Sequence, residues 1–173
     1  IAVSDLEEML SSNDYSVFIN EDIYFEHSFF QEISREHRVH DGFDLLYTDE
    51  DEMDFAGNYR CPRYKPDWSL DYVINFNYIG DGFVVSNKLI KNNAAELIES
   101  FYHEGSHYFI LSLAGNVKKV VHLKKILIHN AKLRDEKSQN SKKAILEYIR
   151  QNDLRAFTER WKYKYYILRY NHD

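Results

Sequence analysis

Alternating hydrophobic and polar residues mark the middle of the chain. Residues 70–79 and 82–90 are rich in Val, Ile, Phe and Tyr with a period close to two, which is typical of β-strands. The Gly80-Asp81-Gly82 segment between them is a hairpin signal. This pattern predicts two antiparallel strands joined by a tight turn.

After these predicted strands the apolar spacing becomes helical. Apolar residues recur at intervals of three and four over residues 97–113, and Gly115 can end the helix. Similar patterns predict a second helix over residues 117–132 and a third over residues 142–170, separated by the polar residues 135–141. The predicted fold class is α+β, with a small antiparallel sheet followed by three helices, of which the third is the longest.

The first third of the chain has weaker patterns. Residues 4–10 are predicted as a short helix, and residues 15–19 and 22–30 as extended or short helical pieces. The acidic run DEDEMD at residues 49–54 is predicted as an exposed turn or loop. Residues 58–67 contain both prolines and are predicted to be irregular.

The composition fits one globular domain. At 173 residues the chain is long enough to bury a core without disulfides, and its single cysteine, Cys61, excludes an internal bridge. No segment approaches the roughly 20 apolar residues of a membrane span, so no membrane partner is expected. We expect one domain over residues 1–173, with an acidic part at 1–60 and the core at 70–170. Because the chain begins without Met, we expect that a leader or upstream domain has been removed.

Charge is unevenly distributed. Residues 1–60 carry sixteen acidic and three basic side chains, whereas residues 117–173 carry fifteen basic and six acidic ones. We interpret this as mutual attraction between the two parts within the fold. The alternative is a basic surface for an acidic partner or a nucleic acid, but no nucleic-acid-binding motif is present, so no nucleic acid is expected as a partner.

One motif carries recognisable chemistry. The helix predicted over residues 97–113 contains the pattern H-E-x-x-H, formed by His103, Glu104, Gly105, Ser106 and His107. Residues four apart lie on one face of a helix, so both imidazoles could bind one Zn²⁺ ion. Glu104 would then act as general base towards the zinc-bound water. The alternative is a surface helix whose polar side chains face water, and Gly105 costs about 1 kcal/mol of helix propensity.

The motif resembles that of the zincin metallopeptidases. The resemblance covers residues 82–107 and one later helix, and it implies a Zn²⁺ cofactor and an active-site helix. It also implies a peptide substrate bound along an edge strand, which would be residues 82–86 or their hairpin partner. The metzincin subgroup is excluded, because Ile110 and Leu113 stand where that subgroup has Gly and His.

The resemblance implies a third zinc ligand from a downstream helix, which is Glu in gluzincins and Asp in aspzincins. Asp153 is the best match, and its periodicity supports the choice, since Ile145, Ile149 and Phe157 lie on the same helical stripe. A buried carboxylate needs a partner, which a metal could provide. The alternatives are that Asp153 pairs with an arginine or caps a backbone amide, and that Glu159 is the ligand.

Two further histidine pairs have spacings near those of metal ligands. His122 and His129 are seven residues apart in the second predicted helix, among lysines, and we interpret them as surface residues. His37 and His40 lie in an acidic segment that we interpret as a loop.

The sequence therefore predicts a zinc-dependent endopeptidase that acts on a protein or peptide substrate. By analogy with small single-domain zincins, a bacterial effector or toxin is expected, located in the cytoplasm or in a host cell reached without a classical signal peptide. Two alternatives stay open: an intracellular regulatory peptidase, and a non-enzymatic interaction module in which the H-E-x-x-H motif is incidental. The sequence does not indicate an oligomeric state.

Overall fold

A computed structural model describes residues 3–19, 22–131, 142–161 and 165–171. Its helices are α1 (Val3–Ser12), α2 (Phe29–His40), α3 (Leu70–Asn75), α4 (Asn87–Ile90), α5 (Ala94–Leu113) and α6 (Lys142–Gln151), with a 3-10 turn at Lys91–Asn93. Its strands are β1 (Tyr15–Ile19), β2 (Ile23–Phe25), β3 (Leu45–Met53), β4 (Tyr59–Arg63), β5 (Gly82–Ser86), β6 (Val120–Asn130), β7 (Ala156–Trp161) and β8 (Tyr165–Tyr170).

The main sheet is mixed and has six strands. Its order is β1-β5-β3-β6-β2, and β4 pairs with the second half of β3. Strand β3 is parallel to β6 and antiparallel to β5, and β1 is also antiparallel to β5. Strands β1, β3 and β6 therefore run in the same direction, and their carboxyl ends meet at one edge of the sheet. In open α/β sheets this edge is where ligands usually bind.

Both faces of the sheet are covered by helices. On one face, Phe29 and Ile33 of α2 pack with Leu46, Val84 and Ile128. On the other face, residues from α1, α3, α5 and α6 pack around the alternate residues of β3 and β5, such as Tyr47 and Phe83. The period of two along β3 and β5 thus sends successive side chains into two separate cores.

The predicted α+β class is confirmed, but the small antiparallel sheet is wrong, since the sheet has six strands and mixed directions. The helix predicted at residues 4–10 is present as α1, and residues 15–19 form strand β1. None of the helices in the described part of the chain has the length and hydrophobicity that crossing a membrane requires.

The predicted hairpin at residues 70–90 is wrong. Residues 70–75 form helix α3, which begins after Ser69, whose hydroxyl accepts a hydrogen bond from the backbone N–H of Tyr72. This is the usual way to cap a helix, and it outweighs the strand-like composition of the segment. Strand β5 is present, but its partners are β1 and β3 rather than residues 70–79.

The two later predicted helices are largely wrong. Residues 120–130 form strand β6, which lies between β3 and β2 in the sheet, and pairing with β3 favours the β-branched residues of the segment. The third helix ends at Gln151 and is followed by the hairpin of β7 and β8. The polar residues 135–141 lie outside the described residues.

Candidate functional site

The two histidines of the H-E-x-x-H motif lie in different environments. Gly105 adopts φ 83° and ψ 177°, so the helical path of α5 breaks between them. His103 is exposed, whereas His107 is only 1% exposed and donates a hydrogen bond from Nε2 to the carbonyl of Val73 at 2.8 Å. Burial lowers the pKa of His107 to about 4. His107 is therefore a neutral core residue, and the kink removes the common helical face that zinc binding requires.

The other three residues predicted for the zinc site also lie in different environments. Glu104 forms an ion pair with Lys143. Asp153 is exposed in the turn after α6, and Glu159 lies on β7, where its carboxylate accepts a hydrogen bond from Arg169 at 3.0 Å. Within the described ranges no group of three His, Cys, Asp or Glu side chains is arranged to hold a metal ion.

The structure instead concentrates charge on the second half of strand β3. The acidic run predicted to be an exposed loop is a buried strand, with Asp49 3% exposed and Glu50 1% exposed. Burying a carboxylate is costly unless a donor or cation compensates for the lost water. Each carboxylate has such a partner: Asp49 contacts His122, Glu50 contacts Lys65, Asp51 contacts His129, and Glu52 contacts Arg63.

Irregular pairing of β6 brings both histidines to this strand. His122 lies beside Tyr47 and His129 beside Asp51, so seven steps along β6 match four steps along β3. Register shifts on either side of Asp49 absorb the three extra residues. In a regular strand an odd separation places two side chains on opposite faces, and an odd number of inserted residues reverses that parity. Both histidines therefore reach residues on the same face of β3.

A cavity of about 410 Å³ opens beside the first of these histidines, lined by Asp49, residues 64–67, His122 and Lys124. The His122 ring lies between two carboxylates, with Nε2 at 2.9 Å from Asp49 and Nδ1 at 3.0 Å from Asp67. Lys124 donates to the second oxygen of Asp67 at 2.9 Å. Hydrogen bonds from Lys124 and then His122 lower the pKa of Asp67, so this carboxylate is charged at neutral pH. The cavity thus combines fixed carboxylates with a cation at its rim.

His129 also lies between two carboxylates, at the carboxyl edge of the sheet. His129 Nδ1 lies 2.6 Å from Asp51, and its Nε2 lies 3.3 Å from Glu26. The ring of Tyr59 stacks on the imidazole with a centroid separation of 4.2 Å. In the described structure these three side chains do not form a metal site by themselves. Mg²⁺ commonly uses only one or two protein carboxylates together with substrate phosphates.

A buried polar cluster connects the kinked helix to this edge. Ser106, directly after the kink, donates to Asp81 at 2.6 Å and accepts from Asn77 at 2.9 Å. In the same loop, the carbonyl of Ile79 accepts a hydrogen bond from the buried ammonium of Lys65. The H-E-x-x-H segment therefore holds the loop before β5 in place.

Sequence reasoning missed most of these groups. The available signal was the apolar segment Leu45, Leu46 and Tyr47, which ends one residue before the acidic run. Such a short apolar segment is consistent with a buried strand that continues into the acidic residues. The partners of the β3 carboxylates lie up to 78 residues away in sequence, and local patterns carry no information on such pairing.

Comparison with known proteins places this geometry in context. No family model matches the chain. Over 85 residues, or 49% of the chain, it is 33% identical to the O-antigen biosynthesis protein RfbC of Myxococcus xanthus, and the match covers 7% of that protein. The fold is similar to that of S. aureus TarS 1–349, with a TM-score of 0.51 and 14% sequence identity, covering 84% of this chain and 42% of TarS 1–349.

The chain is not a zincin. The fold is shared with TarS, the related protein is named for a biosynthetic process, and the predicted zinc ligands do not converge in the described residues. The predicted zinc peptidase, its assignment as a hydrolase and the effector or toxin role are therefore wrong. The physical reason is the kink at Gly105, because the motif has the spacing of a helical zinc site without the helix.

Proposed function

We propose that the chain is part of a glycosyltransferase that adds a sugar unit during the synthesis of a cell-surface polysaccharide. Both similarities support this proposal, one through a protein named for O-antigen biosynthesis and the other through the fold of TarS. The observation that carries it is the run of buried carboxylates on β3, which leads to the carboxyl edge of the sheet and borders an open cavity.

The chemistry of sugar transfer matches what this edge offers. The acceptor hydroxyl oxygen forms a bond to the anomeric carbon, the bond from that carbon to a phosphate oxygen breaks, and the hydroxyl proton leaves. Carboxylates can accept hydrogen bonds from sugar hydroxyls and take up that proton. Developing negative charge on the leaving phosphate is stabilised by cations or by a divalent metal.

The described residues supply these groups at fixed positions. Asp51 and Glu26 converge on His129, and we assign them to the phosphate side of the substrate, where a divalent cation would find oxygen ligands. Asp49 and Asp67 border the cavity, and we assign them to sugar hydroxyls. Their hydrogen bonds to His122 hold both carboxylates in one geometry, which lowers the entropic cost of binding.

Isothermal titration calorimetry of the purified chain with a panel of nucleoside diphosphate hexoses, in the presence of Mg²⁺, tests the proposal. We expect saturable binding by the wild-type chain and at least about tenfold weaker binding by Asp51→Asn, equivalent to about 1.4 kcal/mol. The matched control is Asp71→Asn, which changes an exposed carboxylate on α3.

We expect Asp51→Asn to fold, because an amide at residue 51 can still hydrogen-bond to His129. Circular dichroism would verify that both variants are folded. Absence of binding to every member of the panel, or equal affinities for Asp51→Asn and wild type, would refute the proposal.

A further inference from the structure

Tyr64 is an exposed aromatic residue on a rigid support. Its side chain is 75% exposed at the rim of the cavity. The backbone that follows it is fixed, because the N–H of Lys65 donates to Asp49 at 2.8 Å and the carbonyl of Pro66 accepts from the hydroxyl of Tyr47 at 2.7 Å. The Lys65 side chain is itself anchored to Glu50 at 3.0 Å. An aromatic ring held over a cavity on an immobile backbone loses little entropy when a ligand packs against it.

The groups beside Tyr64 have free hydrogen-bonding capacity. Both partners of Asp49 contact its Oδ1 atom, and within the described part of the chain its Oδ2 atom makes no hydrogen bond. Asp67 is largely exposed on the opposite side of His122, and Lys124 lies next to it. The cavity therefore has acceptors and one cation around an apolar ring.

A pyranose ring has the complementary chemistry. Its two faces present C–H groups, and its rim presents hydroxyl donors. Flat aromatic side chains with a polar tip suit such amphipathic ligands, and carboxylates accept from hydroxyls. A nucleobase would also stack on the ring, but its rim has few donors for two carboxylates.

We infer that Tyr64 is the platform on which the transferred sugar unit stacks, with Asp49 Oδ2 accepting a hydrogen bond from one of its hydroxyls. This inference rests on the proposed function, and it gives the cavity a defined task within it. Tyr64 holds the sugar ring over the carboxylates and takes no part in the transfer itself.

Calorimetry with two probes tests the inference: a nucleoside diphosphate hexose that wild type binds, and the same nucleoside diphosphate without the sugar. For Tyr64→Ala we expect about tenfold or greater loss of affinity for the hexose-bearing probe and an unchanged affinity for the nucleoside diphosphate. Tyr64→Phe should stay within about twofold of wild type, because the stacking face is retained.

Tyr102→Ala serves as control, because Tyr102 is 84% exposed on α5 and is not part of the cavity lining. If wild type binds the hexose-bearing probe and Tyr64→Ala binds it equally well, this inference is wrong while the proposed function stands. An equal loss of affinity for the nucleoside diphosphate alone would assign Tyr64 to the base and overturn the inference. If wild type binds none of the probes, the proposed function fails and the inference fails with it.

Discussion

His129 Nδ1 lies 2.6 Å from Asp51 Oδ1, between two neighbouring parallel strands of the sheet. Both side chains are buried, so the contact replaces water for a carboxylate that is otherwise enclosed. Removing one member of such a pair leaves an uncompensated charge, which is far more costly than losing a surface ion pair.

We therefore predict that His129→Ala lowers the free energy of unfolding by about 3 kcal/mol, measured by urea denaturation at neutral pH. His40→Ala is the matched control, because His40 is exposed and pairs with Glu36 one helical turn away. Its effect should stay below about 0.5 kcal/mol. Equal effects of the two substitutions would show that the Asp51 contact does not stabilise the sheet.

The effect of replacing Gly105 on the free energy of unfolding distinguishes a kinked backbone in the H-E-x-x-H segment from a regular helix. At φ 83° and ψ 177° its backbone has a conformation that is nearly exclusive to glycine. Gly105→Ala should therefore destabilise the chain by about 1–3 kcal/mol, although a Cβ atom would meet nothing within 4 Å. A regular helix would respond in the opposite way, with a gain of about 1 kcal/mol. Thermal or urea unfolding of wild type and Gly105→Ala measures this change in the free energy of unfolding. Stabilisation by the alanine would show that the backbone at residue 105 is helical.

His107 makes stability depend on pH in a defined window. Burial lowers its pKa from the ordinary value of 6.5 to about 4. Between these two values the unfolded chain binds a proton that the folded chain does not, so the free energy of unfolding falls as the pH decreases from 6.5 to 4. This group contributes a loss of up to about 3 kcal/mol over that window and no further loss below it.

His107→Gln keeps a donor for the carbonyl of Val73 and removes the titration. The difference in unfolding free energy between wild type and this variant should narrow by that amount from pH 6.5 to pH 4. The carboxylates are common to both proteins, so their titration cancels in the difference. A difference that is independent of pH would show that His107 is not buried as described.

How much the sequence predicted depended on the range of the interactions. The helix α1, strands β1 and β5 and the first turns of α6 follow from local patterns, and these elements are present. The acidic run of β3 was misjudged because its composition suggests exposure, whereas its burial depends on Lys65 and His129, which are distant in sequence. No local pattern reports a partner of that kind.

The histidines show a second limit. His122 and His129 are seven residues apart, a spacing that places two residues on one face of a helix. An irregular strand with three extra residues also places them on one face. Likewise, H-E-x-x-H encodes a zinc site only if the backbone through Gly105 is helical. In both cases the spacing is compatible with more than one backbone path.

The central claim is that the acidic half of β3 and the adjoining cavity bind an activated sugar. The most direct test is a titration of the ¹⁵N-labelled chain with a nucleoside diphosphate hexose and Mg²⁺, followed by two-dimensional ¹H–¹⁵N spectra. We predict that the largest shift changes occur at the amides of Asp49, Asp51, Tyr64, Lys65, Asp67 and His129. Changes confined to residues 103–107, or no changes across the panel of hexoses, would contradict the account.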